Sequence, residues 1–204
     1  MTPEMLGALD AFAAQFRTQL NRSGPLAHEH AVHFCIARGF LEAYQWQPEA
    51  IVFEHLVGAR RTDIWVAPFD LAIEVKYQRP IPSGKNRPHT QHFGSLLADF
   101  NKLAATPTRH RLVVLVDDGR GVSYLQRSGR GLLPLQVGQA SELGWESVAQ
   151  LARTAVTSAA AQGPWIRHRA HLTWRTSIDH WHVFAWEVVP VVAGSELRDA
   201  HSSA

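Results

Sequence analysis

Two short apolar runs carry charged residues where apolar ones would be less costly. Arg61-Thr62-Asp63-Ile64-Trp65-Val66 and Leu71-Ala72-Ile73-Glu74-Val75-Lys76 flank a turn at Pro68-Phe69-Asp70. Side chains alternate faces along a strand, so Glu74 and Lys76 point one way while Ile73, Val75 and Tyr77 point the other. Asp63 interrupts an otherwise apolar strand, and a buried charge is costly unless it is paired or holds a metal. Three charged groups converging on one patch of sheet fit a divalent cation beside a phosphate. Mg²⁺ prefers hard oxygen ligands and keeps several waters, so one or two carboxylates plus a substrate phosphate can hold it. A lysine at such a site positions the attacking water or offsets developing charge.

The surrounding elements have to position these groups. A helix is predicted from Leu26 to Tyr44, with Glu29 on the stripe that also carries Val32, His33, Ile36 and Phe40. Glu29 is therefore expected to face the core and is the first candidate for a third acid. Glu54, in the predicted strand 51–57, is the alternative. After the motif, Pro80, Pro82, Gly84 and Pro88 mark a loop. Thr90 is expected to cap a helix from Gln91 to Ala104, whose apolar side is Phe93, Leu96, Leu97, Phe100, Leu103 and Ala104. Gly94 would let backbone approach that helix closely. Arg111 to Asp117 is a continuous apolar run, as for a strand buried on both faces.

The order helix, three strands, helix, strand over roughly residues 26–118 resembles the PD-(D/E)XK nuclease superfamily. Asp63 matches the first acid, Glu74 the second acid and Lys76 the lysine, while Thr62 stands where a proline often precedes the first acid. The resemblance implies an α/β fold of the restriction-endonuclease-like kind, with a central mixed β-sheet flanked by helices. It implies Mg²⁺-dependent hydrolysis of DNA phosphodiester bonds, with Mn²⁺ as a substitute ion. Asp63 and Glu74 would bind metal, Lys76 would orient or activate water, and Glu29 would assist, with Glu54 as its alternative. Gln91 matches a glutamine of RecB-type nucleases, but Ser95 replaces the tyrosine found four residues later, which puts the RecB-type assignment in doubt. The alternative function is a non-catalytic nuclease-fold module that binds nucleic acid or assembles with other proteins.

Composition sets outer limits. The chain of 204 residues suits one domain, and 46% hydrophobic content with seven tryptophans excludes a disordered protein. No apolar run reaches the ~20 residues of a membrane helix, and the N-terminus lacks a signal pattern, so the expectation is cytoplasmic. Cys35, the single cysteine, reads as a buried structural thiol. The net charge of +2 argues little about partners, but basic residues cluster locally. Lys85 and Arg87, in the loop directly after the motif strand, are the candidates for DNA backbone phosphates, with Gln91 nearby. Specificity would come from loops, from a second copy of the chain in a homodimer, or from a partner protein.

His28, His30 and His33 do not have zincin spacing, which places two ligands four apart on a helix. The remaining segments frame the core. Residues 3–22 read as an amphipathic helix. Val122-Ser123-Tyr124-Leu125 reads as a short strand or loop, and a helix is expected from Ser141 to about Ala161. A C-terminal hairpin follows, with strands at 171–176 and 181–192, in which Trp181 is expected to have one face wet.

Overall fold

A computed structural model describes residues 1–23, 29–78, 89–128 and 131–191. Its centre is a seven-stranded mixed sheet in the order β1-β2-β3-β4-β7-β6-β5. The strands are β1 (Ile51–Val57), β2 (Arg60–Val66), β3 (Leu71–Gln78), β4 (His110–Asp117), β5 (Ala140–Leu143), β6 (His168–Ile178) and β7 (Trp181–Pro190). The helices are α1 (Pro3–Ser23), α2 (Glu29–Tyr44), α3 (His89–Ala104), α4 (Arg120–Ser128), α5 (Trp145–Val148) and α6 (Arg153–Ala159). The protein is thus α/β with helices on both faces of a mixed sheet.

The single parallel pairing in the order, β3 with β4, is the one joined by a helical crossover, α3. Parallel neighbours need such a connection, whereas the antiparallel β1–β2, β2–β3 and β6–β7 pairs need only turns. The turn before β3 is a single 3₁₀ turn at Ala67–Phe69 that ends on Asp70, in the left-handed region at φ 48°. The Asp70 carboxylate accepts the Arg109 amide at 2.8 Å, which ties this turn to the start of β4.

Two apolar layers hold the sheet. On one face Ile64, Val66, Ile73, Val75 and Tyr77 pack with Phe12, Phe16, Ile36 and Phe40 of α1 and α2. On the other face Ala72, Val113 and Leu115 pack with Phe93, Leu97, Phe100 and Leu103 of α3. Each layer buries large side chains at about 1.5–3 kcal/mol apiece before the entropy of ordering is counted. Close backbone approach sets both helix layers. A Cβ on Gly39 of α2 would lie 2.7 Å from the Phe12 Cα of α1. A Cβ on Gly94 of α3 would collide with the carbonyl oxygen of Ala155 in α6.

Several expectations are corrected. The predicted helix from Ser141 to Ala161 is instead β5, extended backbone at Gly144, the short α5 and then α6. Residues 140–143 pair antiparallel with 168–171 of β6, so sheet hydrogen bonds outcompete a helical reading of the same apolar spacing. Val122 to Leu125 lie in α4, not in a strand or loop. Asp117 makes that helix start, because its carboxylate accepts the amides of Gly119, Gly121 and Val122 at 2.7–3.1 Å. α3 begins at His89, which places Thr90 inside the first turn and not at its cap. Of the C-terminal strands, β6 is longer than the expected 171–176, and β7 starts at Trp181 as expected but ends at Pro190. Trp181 is fully buried against Phe16 and Tyr77, with no wet face. The predicted helix start at Leu26, together with His28, Lys85 and Arg87, lies outside the described residues.

Candidate active site

The β2–β3 ladder runs only from Val66↔Leu71 to Ile64↔Ile73. Beyond that point the two strands part, and the β3 amides that β2 would have satisfied need other acceptors. Side chains supply them. Thr62 bridges the fork by donating its hydroxyl to the Ile73 carbonyl at 3.0 Å. Asp63 Oδ2 accepts the Val75 amide at 2.7 Å. Glu29 Oε2, from the first turn of α2, accepts the Tyr77 amide at 3.0 Å. Two carboxylates therefore cap consecutive outward amides of one strand.

Alternation puts Ile73, Val75 and Tyr77 in the layer with α1 and α2 and turns Glu74 and Lys76 toward α3. There they meet two residues that the motif does not contain. Lys102 Nζ lies 2.7 Å from Glu74 Oε2, and Lys76 Nζ lies 3.0 Å from Asp99 Oδ2. Asp99 and Lys102 are three apart on α3, so they share a helix face and reach the sheet together.

Glu74 is 2% exposed, and its Oε1 is buried without a hydrogen-bond partner. Burial is the largest influence on its carboxyl, and the Asp63 charge adds to it. Lys102 offsets part of both, and the result is pushed up to about 8. Burial also raises Asp99, to about 6, against the opposing pull of Lys76. For Lys76, burial works against the charge, but Asp99, Glu29 and Asp63 outweigh it and the ammonium is held above its ordinary value. His33, one α2 turn after Glu29, has Nε2 3.9 Å from Asp63 Oδ2. Burial lowers the His33 imidazole, with Asp63 opposing. Its Nε2 is buried without a hydrogen-bond partner.

The sequence-predicted residues divide clearly. Asp63, Glu74, Lys76 and Glu29 come together where β2 and β3 part. Glu54 does not join them in the same way. It is exposed, at φ 53°, with its carboxylate 3.6 Å from Arg61. Gln91 is exposed in the first turn of α3. Asp99, Lys102 and His33 were missed as site residues. The spacing that could have found the first two is their i, i+3 position on the crossover helix amid Leu96, Phe100 and Leu103, where charged residues need partners.

Among the described residues, no group of three or more His, Cys, Asp or Glu side chains is arranged to hold a metal ion by itself. The donor set that fits an ion is smaller. It consists of two carboxylates, Asp63 and Glu74, close enough to raise the Glu74 value, with one oxygen of Glu74 unpartnered. Those two carboxylates could hold a hard cation that keeps several waters.

No protein-family model, no curated protein and no solved structure matches the chain at significant similarity.

Proposed function

We propose that the protein is a PD-(D/E)XK-type nuclease with a restriction-endonuclease-like core, hydrolysing DNA phosphodiester bonds with Mg²⁺ or Mn²⁺. The observation that carries this reading is the fork between β2 and β3. It gathers two acids and a lysine where the two strands part and leaves a buried carboxylate oxygen of Glu74 unpartnered. An unsatisfied buried oxygen costs about 1–3 kcal/mol, and a bound cation would remove that cost.

In this reading Asp63 and Glu74 would hold the ion. When bound, it would supply positive charge opposite the scissile phosphate and make water a better nucleophile near neutral pH. The chain's own part is positional. The Val75 amide holds the Asp63 carboxylate in place, and Glu29 is held likewise by the Tyr77 amide. Lys76, kept protonated by Asp99, presents a fixed ammonium able to orient water or face phosphate charge. Glu74 must release its proton to act as a ligand, because burial favours its neutral form.

The second reading is a non-catalytic module of the same fold that binds nucleic acid or assembles with a partner. It is favoured by the closure of Glu74 on Lys102 and of Lys76 on Asp99, since such pairs can be purely structural. Incubation of the purified chain with duplex, single-stranded and branched DNA in Mg²⁺ or Mn²⁺ separates the two. Cleavage that disappears in Asp63→Asn and Glu74→Gln supports the nuclease. DNA binding with no cleavage of any form supports the module.

A further inference from the structure

We infer that Lys102 is the resident cation of the Glu74 carboxylate, and that a divalent ion and the Lys102 ammonium compete for the charge of that one carboxylate. The inference rests on the metal-dependent reading above and deepens it by naming a residue outside the three-residue motif that governs metal loading.

The geometry points there from three sides. First, Glu74 is nearly inaccessible, yet it lies within the field of another acid, Asp63, and 2.7 Å from the Lys102 ammonium. Lys102 is the cation in contact with Glu74 and the one that favours its ionised form. Second, Lys76, the lysine of the motif, is engaged with Asp99 at 3.0 Å. The two lysines therefore have separate partners. Third, only one Glu74 oxygen is matched by Lys102, and the other is buried and open to a further ligand. An ammonium satisfies one oxygen, whereas a divalent ion between Asp63 and Glu74 would draw on both acids.

Lys102 side-chain atoms are 16% exposed, so the long stem has an outlet to solvent as the pair opens. In the metal-free chain Lys102 offsets part of the repulsion between the two acids. On loading it would give up Glu74, which makes the ion's affinity lower than two unpaired carboxylates would allow. Removing the ammonium should thus tighten metal binding even if Glu74 then takes up a proton. A divalent ion gains more than a singly charged proton from the loss of a neighbouring positive charge.

The test is direct binding of Mn²⁺ without DNA, by calorimetry and by Mn²⁺ electron paramagnetic resonance, on the full chain and on Lys102→Met. Tighter binding by about tenfold in Lys102→Met supports the competition. Binding to wild type that is unchanged or weaker in Lys102→Met overturns it and leaves the metal-dependent reading standing. No binding to either protein, nor to Lys102→Gln, overturns both. The wild-type chain provides a check independent of folding of the variants. The Lys102 ammonium ¹⁵N resonance should shift when Mg²⁺ is added, and a Lys102 signal unmoved at saturating Mg²⁺ would also overturn the inference.

Discussion

The carboxylate of Asp63 accepts the backbone amide of Val75 at 2.7 Å, which fixes the first acid of the motif to the strand carrying the second. The bond forms because β2 leaves β3 after Ile64↔Ile73 and frees that amide. One group thereby serves both fold and site, and substitutions can separate the two roles. Asp63→Ala should destabilise the protein by about 1–3 kcal/mol, because the amide loses its acceptor. Asp63→Asn retains an acceptor oxygen and should cost less. Both should lower DNA cleavage by about 100-fold or more, since neither supplies a carboxylate ligand. Urea titration beside a cleavage assay checks the split; equal stability of the two variants would contradict it.

Asp99 is expected to act on Lys76. Asp99→Asn removes the charge that most strongly favours the ammonium, and burial then pulls the Lys76 value down. The alkaline limb of the cleavage profile should move to lower pH, with Asp99→Glu restoring part of it. A pH–rate profile of the three proteins measures this. A uniform loss at every pH in Asp99→Asn would instead indicate a structural role.

Glu74 predicts a pH dependence of stability. Its carboxyl rises from 4.5 in the unfolded chain to about 8 in the folded one, chiefly by burial. The folded state thus binds the extra proton between those values. Its stabilising contribution is full below about 4.5 and is lost as pH rises through about 8. The loss is on the order of a few kcal/mol across that window. Denaturant midpoints should therefore fall less steeply from acid to alkaline conditions in Glu74→Gln than in wild type. Metal affinity should run the opposite way and climb as pH approaches 8, because the ligand must lose its proton.

Gly39 and Gly94 test the helix layers. A methyl group on Gly39 meets backbone of α1, and one on Gly94 meets backbone of α6. Backbone cannot step aside as a side-chain tip can, so Gly39→Ala and Gly94→Ala should each destabilise by about 1–3 kcal/mol despite alanine's better helix propensity. Thermal or chemical denaturation checks this. Because α3 carries Asp99 and Lys102 and α2 carries Glu29 and His33, displacement of either helix should also reduce cleavage.

The sequence by itself determined the strands around the motif, the apolar faces of α1, α2 and α3, and the shared face of Glu74 and Lys76. All of these follow from periodicities of 2 and 3.6 residues that local chain geometry enforces. Glu29 was legible for the same reason, as an acid on an apolar helical stripe. Where packing alternatives were equal the sequence was silent or misleading. Residues 140–143 carry a pattern that suits a helix, and only the free edge of β6 made them a strand. Val122 to Leu125 became helical because Asp117 offered three amides an acceptor. The partners of the motif were likewise a tertiary decision. Asp99 and Lys102 lie more than twenty residues from the residues they pair with, and no local period links a crossover helix to one strand position. Which acid joins the fork, Glu29 and not Glu54, depended on where β2 parts from β3. That point is set by long-range packing, and it is the separation that leaves the Val75 and Tyr77 amides for Asp63 and Glu29 to claim.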